Sequence, residues 1–153
     1  MSNTYTQIYI QAVFAVQNRD CIINSGWEDE LQKYITGIIQ NEGHKMLAIN
    51  GTVDHIHFFF GMKPNHAISK IIQDVKSNSS KWINEKKFTK SKFSWQEGFG
   101  AFSYGHSQIT NVIQYINNQK EHHKRQSFRN EYLLFLKKFN VKYDEKYLFY
   151  FFD

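Results

Sequence analysis

The residues best suited to chemistry begin with two histidines at alternate positions of an apolar segment. His55 and His57 lie in the run DHIHFFF at positions 54–60. In a β-strand, side chains at i and i+2 project from the same face, so the two imidazoles share a face, about 7 Å apart along the strand. Two imidazoles so placed can bind one divalent metal ion. The pair alone supplies too few ligands, and a polar strand face without a metal is the simpler interpretation.

A helix later in the chain could bring a nucleophile to the same place. Its apolar stripe at helical spacing is formed by Ile109, Val112, Ile113 and Ile116. At about 100° per residue, Tyr115 lies about 110° from that stripe, so it borders the core. Gln119 follows one turn later on the same face, and His122 continues the line. A phenol beside a carboxamide could supply a nucleophile and a metal ligand, although helix geometry alone favours a tyrosine with a solvated hydroxyl.

The first half of the chain predicts the elements that hold the histidines in place. Alternating apolar residues over 5–16 predict a strand, and apolar residues at helical spacing predict a helix over 27–41. Gly43 suits the left-handed position that ends this helix. Residues 45–50 and 53–61 predict two strands, and the Asn-Gly pair between them indicates a tight hairpin turn.

The second half predicts the elements around the tyrosine. Helical periodicity over 67–87 predicts a second long helix, and residues 99–104 predict a short strand. Ser107 is a good N-cap for a helix that runs to about Lys124. A last helix is predicted over 128–139.

The order of these elements predicts the fold. Strand, helix, strand, strand, helix, strand is typical of an α+β, ferredoxin-like (split βαβ) antiparallel sheet with helices on one face. The added C-terminal helices then carry Tyr115. We expect residues 1–153 to form a single domain, with a tail from about 141 to 153 of unknown role, and we expect the chemistry on the open face of the sheet.

Composition favours an anionic partner and argues against a secreted protein and against a membrane-spanning protein. The chain has a net charge of +5, a pI near 9.2 and 17% aromatic residues, which together favour nucleic acid. Its single cysteine, Cys21, cannot form an internal disulfide, as expected in a reducing cytoplasm. The sequence shows neither a signal peptide nor an apolar stretch of about 20 residues that could span a membrane. We therefore expect a cytoplasmic protein.

Basic and aromatic residues interleave in two regions that predict contacts with DNA. The first region contains Lys81, Lys86, Lys87, Lys90, Lys92 and Trp95, and the second contains Lys120, Lys124 and Arg125. Lysine and arginine neutralise phosphates, and aromatic rings stack on unpaired bases. Each lysine taken alone could equally be an ordinary solvated side chain.

Together these residues form a pattern that resembles the single-tyrosine HUH transposases of small insertion sequences, the IS-two-hundred-like family. The resemblance extends from about Tyr5 to Tyr147, with its blocks in the expected order. The blocks are residues 54–57 (DHIH), 95–103 (WQEGFGAFS) and 115–123 (YINNQKEHH), followed by Ser127-Phe128 and Glu131. Family members usually have smaller residues after the serine at position 103, so Tyr104 and His106 are departures without an explanation from the sequence.

The resemblance implies roles for individual residues. It makes His55, His57 and Gln119 ligands of a divalent metal, Mg or Mn, whereas the ligand types alone would also tolerate Zn. It makes Tyr115 the residue that attacks single-stranded DNA, through a 5′-phosphotyrosine intermediate. It further implies hairpins at element ends as the substrate, a prokaryotic protein associated with the nucleoid when it acts, and a homodimer in which the Tyr115 helix can work in trans.

Other functions fit part of the pattern. A non-enzymatic RNA- or single-strand-binding module would explain the charge and the aromatic residues, but not the spacing of the histidines, Tyr115 and Gln119. A domesticated HUH endonuclease would use the same catalytic residues and differ only in its biological role. A two-histidine phosphoesterase is excluded, because no second histidine motif of the required kind follows His57.

Overall fold

Four strands form one antiparallel sheet in the computed structural model, which describes residues 3–152. The strands are β1 (Tyr9–Ala15), β2 (Lys45–Gly51), β3 (His55–Gly61) and β4 (Gly100–Tyr104). Their order across the sheet is β2-β3-β1-β4, and every neighbouring pair is antiparallel. This is the ferredoxin-like arrangement that the sequence predicts.

Two long helices cover one face of the sheet. They are α1 (Glu28–Asn41) and α2 (Ile68–Lys86), which pack against each other. Lys76 of α2 lies 5.4 Å over the ring of Phe14, which places α2 on the Phe14 face. Gly43 has a φ of 91° and ends the first helical segment in the left-handed conformation, as predicted. Among residues 3–152, no helix is long and apolar enough to cross a membrane.

The opposite face, which we expected to be open, is covered by the C-terminal helices. These are α3 (Ile109–Asn117), α4 (Gln119–His123) and α5 (Phe128–Lys138). Helix α3 packs on β2 and β3, and Phe135 of α5 stacks on Phe102 of β4 with ring centroids 5.3 Å apart. The sheet is therefore enclosed between two helical layers, and residues on this second face belong to a buried site.

The helix predicted from Ser107 to about Lys124 is interrupted. Ser107 lies in a short 3-10 turn, His106–Gln108, so it is not the N-cap of α3. The backbone leaves helical geometry at Asn118, where φ is −98° and ψ is 18°. Tyr115 and Gln119 therefore belong to two short helices that meet at this residue, rather than to one continuous helix.

The predicted hairpin is present, but its turn lies later than the Asn-Gly pair. Gly51 is the last residue of β2 and pairs with Ile56, so residues 52–54 make the connection. The Thr52 backbone N–H donates to the His55 carbonyl at 3.0 Å. A Cβ atom on Gly51 would lie only 2.3 Å from that carbonyl oxygen. The glycine is needed for this close approach of the two backbones beside His55.

We expect Gly51→Ala to lower the free energy of unfolding by about 1–3 kcal/mol, because the added methyl forces the hairpin apart. The matched control is Gly37→Ala in α1, where a Cβ meets no atom within 4 Å. That change should raise stability by about 0.5–1 kcal/mol. Urea unfolding monitored by circular dichroism measures both, and equal stabilities for the two variants would contradict the close approach at Gly51.

Candidate active site

His55 and His57 lie side by side on β3 and are both fully buried. Their ring centroids are 5.1 Å apart, on the sheet face that α3, α4 and α5 cover. The ring of Phe128 lies parallel to that of His55, with centroids 3.8 Å apart and an interplanar angle of 3°. The shared face follows from the alternation of side chains along a strand, and the burial follows from the C-terminal helices.

The carboxylate of Glu131 lies among three imidazoles. Its Oε1 atom is 3.0 Å from Nε2 of His57, 3.1 Å from Nε2 of His123 and 3.4 Å from Nε2 of His55. Glu131 belongs to α5 and is 2% exposed. The ligand atoms of Glu131, His55 and His57 all lie within 4.8 Å of one another, a spacing that fits one metal ion.

Glu131 was part of the family pattern, but the sequence assigned it no role. It lies on the apolar stripe of α5 together with Phe128, Tyr132 and Phe135, all of which are buried. A carboxylate on the buried side of a helix is costly unless it is paired or binds a metal. The position of Glu131 within this stripe is therefore the sequence signal that could have identified it.

Tyr115 and Gln119 complete the same cluster. The Tyr115 hydroxyl and the Gln119 amide both donate to Oε2 of Glu131, the amide at 2.8 Å. The Tyr115 ring lies 6.3 Å from that of His57. Gln119 is fully buried, and within residues 3–152 its Oε1 atom has no hydrogen-bond partner. The structure thus brings together all four residues that the sequence selected, while their catalytic roles remain proposals.

Further polar side chains hold the two histidines in position. His55 Nδ1 lies 2.8 Å from Asp54 Oδ1, which also accepts from the Thr52 hydroxyl at 2.9 Å. With its Nδ1–H on a carboxylate, a histidine presents Nε2 to a metal. His57 Nδ1 lies 3.0 Å from the Gln11 amide, and the Tyr104 hydroxyl donates to the same amide at 2.8 Å.

The contact with Gln11 explains Tyr104, one of the two departures from the family pattern. Tyr104 is 9% exposed, and its hydroxyl fixes the amide that orients His57. The other departure, His106, is exposed and lies near Tyr9, with ring centroids 6.5 Å apart. Among the described residues, no contact links His106 to the site.

Electrostatics within the cluster concentrate charge on Glu131 and keep the phenol protonated. Burial alone would raise the pKa of Glu131, but the charge of His57, a hydrogen bond from His123 and the nearby imidazole of His55 lower it well below its usual range. Burial lowers the pKa of His57. Burial would also lower the pKa of His55, yet Asp54 and Glu131 raise it. Burial and the negative charge of Glu131 raise the pKa of Tyr115.

The donor atoms of the cluster fit a divalent cation. Two buried ligand atoms of this cluster, Nε2 of His55 and Oε1 of Gln119, have no hydrogen-bond partner within residues 3–152. With a Glu131 oxygen they make one nitrogen and two oxygens, a set that suits several divalent ions. His57 Nε2 would join this set on losing the proton that it holds toward Glu131, since the Gln11 amide N–H donates to His57 Nδ1. Buried polar atoms without partners are costly, and a bound ion would satisfy both of them.

A second group, Glu42, His44 and His66, has suitable spacing for a metal but unsuitable hydrogen bonds. The Lys63 backbone N–H donates to Nδ1 of His44 at 3.0 Å. A neutral imidazole has one donor and one acceptor, so Nε2 of His44 carries the proton and points to Nδ1 of His66, 3.1 Å away. Burial lowers the pKa of His44, which keeps it neutral. His44 therefore has no free ring nitrogen for a metal in this arrangement, and His55 of the main cluster has one.

The predicted stacking role of Trp95 is not compatible with its position. Trp95 is 8% exposed, and its Nε1 donates to the Ser79 hydroxyl at 3.0 Å. Its ring packs edge-on against Phe14 and Phe93, with centroids 4.8 Å and 4.9 Å away. The tryptophan is a core residue, and we withdraw it from the predicted DNA contacts. The prediction was wrong because a tryptophan between basic residues in the sequence can still be buried, and sequence composition does not show burial.

The predicted basic residues are all exposed at the surface. They are Lys81, Lys86, Lys87, Lys90, Lys92, Lys120, Lys124 and Arg125. Lys120 already contacts Glu28 of α1 and the Asn50 amide oxygen, the latter at 3.0 Å, and Lys124 pairs with Glu121 at 2.9 Å. Their contacts with DNA remain predictions.

Comparisons with known proteins identify the family. The family model described as "Transposase IS200 like" matches residues 4–119. The chain belongs to the IS200-like transposases. No curated protein sequence matches the chain.

Two solved structures show that the transposase shares its fold with related proteins. A candidate transposase from Deinococcus radiodurans R1 has 18% identity and a TM-score of 0.63, over 78% of this chain and 95% of that one. A REP-associated tyrosine transposase bound to a REP hairpin has 12% identity and a TM-score of 0.55, over 77% of this chain and 70% of that one. At these identities the likeness supports the fold alone.

Replacing Glu131 tests whether its carboxylate belongs to the metal site. We expect Glu131→Gln to raise the Kd for Mn²⁺ by about tenfold or more, because the neutral amide is a weaker ligand. Isothermal titration of the purified transposase with Mn²⁺ measures this without reference to activity. Glu121→Gln is the control, since Glu121 is exposed and pairs only with Lys124. Equal affinities in the two variants would exclude Glu131 from the site.

Proposed function

We propose that this transposase cuts and rejoins single-stranded DNA through a 5′-phosphotyrosine formed on Tyr115. The observation that carries the proposal is the position of the Tyr115 hydroxyl, which shares the Glu131 carboxylate with Gln119, His57 and His55. A tyrosine embedded in a cluster of potential metal ligands, in a chain of this family, is placed to act as a nucleophile on phosphate.

The surrounding residues hold Tyr115 for attack on a phosphodiester. Its ring stacks on His122 with centroids 4.3 Å apart, and Phe135 lies edge-on at 5.8 Å. These contacts restrict the ring, while the hydroxyl remains at the Glu131 carboxylate. Attack by the phenol oxygen forms a P–O bond to Tyr115 and breaks the bond from phosphorus to the 3′-oxygen. The phenol gives up one proton and the departing 3′-oxygen takes up one, so it leaves as a hydroxyl. The phosphotyrosine conserves the energy of the broken phosphodiester, so rejoining to another strand needs no ATP.

We propose Mg or Mn as the cofactor, held by His55, His57 and Gln119 as the family resemblance implies, with Glu131 as a further ligand. When bound, such an ion polarises the scissile phosphate and offsets its negative charge. The chain contributes the buried, oriented ligands. Asp54 holds His55, and Gln11 holds His57, so both rings are fixed before a substrate arrives.

We propose single-stranded DNA with hairpins as the substrate. The structurally similar REP-associated transposase is bound to a REP hairpin, and in this chain Lys120 and Lys124 are exposed in and next to α4, the helix that carries Gln119. The loop that follows α2 contains Lys87, Lys90 and Lys92 and leads into Ser94. The Ser94 carbonyl accepts a hydrogen bond from the Gln17 N–H at 2.9 Å. Gln17 directly follows Ala15 and Val16, and Ala15 pairs with His55. The end of the loop at Ser94 therefore lies near the end of β1 that pairs with His55.

A homodimer remains part of the proposal, but one chain already assembles the whole cluster. Tyr115, Gln119 and His57 of the same chain meet at Glu131. We therefore propose that the tyrosine acts in cis in this arrangement. The alternative function, a non-enzymatic module that binds RNA on its sheet, is disfavoured because α3 and α5 cover the sheet face on which bases would stack.

Covalent trapping tests the nucleophile. We expect wild-type protein to form a protein–DNA adduct with single-stranded oligonucleotides from its flanking DNA, with Mn²⁺ or Mg²⁺ but not with chelator. Tyr115→Phe should lose the adduct and keep DNA binding, because only the hydroxyl is removed. Tyr147→Phe is the control, since Tyr147 is 80% exposed on the C-terminal tail. An adduct retained in Tyr115→Phe would refute the assignment.

Mixed dimers test the cis arrangement. Tyr115→Phe and His57→Ala chains are co-expressed with different tags, and the heterodimer is purified through both tags. We expect it to be inactive in the trapping assay, because neither chain then holds both the tyrosine and the histidine pair. Recovery of adduct formation on the His57→Ala chain would show that Tyr115 works in the partner's site.

A further inference from the structure

A cavity of about 390 Å³ lies directly beside Tyr115. It is a cleft between α3 and α5 that reaches down to Gln11 and Tyr104 of the sheet. One side of the cavity is lined by Asn111 and Tyr115 of α3 and by Gln108, the residue just before this helix. Their spacings of three and four residues place them on one side of the helix. Because Tyr115 lines both this cavity and the catalytic cluster, a group bound in the cavity lies next to the nucleophile.

The polar lining of the cavity consists mainly of carboxamides. Gln108 uses its Oε1 atom to accept from the Gly105 N–H at 3.0 Å, which leaves its NH₂ group for a ligand. Asn111 and Gln126 also line the cavity, and within residues 3–152 their side chains make no hydrogen bond. Each carboxamide offers both a donor and an acceptor. This lining complements a molecule whose edge carries donors and acceptors, as the edge of a nucleobase does.

The apolar and charged parts of the lining suit the rest of a nucleotide. Val112 and Phe135 are buried in the walls, whereas Leu134 is 54% exposed although it lines the same cavity. An exposed leucine beside buried apolar walls provides a surface for the flat face of a base. Lys138 adds a positive charge for a backbone phosphate. The volume lies within the range of about 300–1,000 Å³ typical of sites for small ligands.

We propose that this cavity receives one unpaired nucleobase of the nucleotide next to the cleaved phosphate and reads its hydrogen-bonding edge. The inference rests on the proposed function, because it takes Tyr115 as the attacking residue. Asn111 lies four residues before Tyr115, about 6 Å along the helix axis, so a base at Asn111 leaves its own phosphate near the phenol. Enzymes that act on DNA commonly take a base out of its stack into such a pocket.

The test combines base substitution with variants of α3. Oligonucleotides carry each of the four bases, or an abasic site, at the two positions that flank the cleaved phosphate, and the initial rate of adduct formation is measured. Wild type should prefer one base at one position by about fivefold or more, and the abasic site should slow the reaction. Asn111→Ala should lose this preference. Gln114→Ala, an exposed carboxamide on the same helix outside the cavity, should retain it.

A second readout separates this inference from the proposed function. The fluorescence of 2-aminopurine at the preferred position, or at each flanking position in turn if no adduct forms, reports whether the base leaves its stack on binding. Adduct formation at equal rates with every base would overturn the base pocket and leave the nucleophile intact. No adduct at all, with a 2-aminopurine signal that Asn111→Ala abolishes, would refute the chemistry and support the pocket. Absence of both signals would overturn both.

Discussion

The site depends on one buried carboxylate of α5 that is shared by residues from three other elements of the chain. Glu131 accepts hydrogen bonds from Tyr115 of α3 and Gln119 of α4 and lies 3.0 Å from His57 of β3. An unpaired carboxylate at 2% exposure would cost several kcal/mol. The folded state therefore requires the C-terminal helices to meet the sheet at this position, and the packing that encloses the site also orients its nucleophile.

The C-terminal tail and the block around Gln96 support this arrangement from the outside. Phe149 packs on Tyr132 of α5 with ring centroids 5.0 Å apart, and on Phe128 at 5.9 Å. Gln96 anchors the adjacent tail residue, since it donates to the Tyr150 carbonyl at 2.8 Å and accepts its N–H at 2.7 Å. Phe128 in turn lies against His55. The second block of the family pattern is thus part of the scaffold that keeps α5 and Glu131 in place.

Local patterns were enough to predict the sheet, its order and four members of the site. His55 and His57 follow from strand alternation, and Tyr115 and Gln119 follow from the family pattern. The features that could not be predicted from the sequence depend on contacts between residues far apart in the chain. Glu131 reaches the histidines only because α5 lies over β3. Trp95 is buried because α2 covers it. The turn of the hairpin lies later than predicted because Gly51 passes close to the His55 carbonyl. Periodicity reports which side of an element is apolar, not which element will cover it.

Enclosure of the sheet also constrains how a phosphate can reach the cluster. His55, His57 and Gln119 have no exposed surface, so DNA cannot lie on the sheet as it would on an uncovered aromatic face. The cleft between α3 and α5 is lined by both Tyr115 and Glu131 but not by the two histidines. A phosphate that enters through this cleft would therefore contact the Tyr115 phenol before it reaches His55 or His57. Were DNA to enter by this route, the residues of α3 would contact the strand close to the cleaved bond, and the exposed basic residues would hold more distant phosphates. The positions that discriminate one base from another should therefore lie on α3 and α5 rather than among the surface lysines, because lysine–phosphate contacts carry no sequence information.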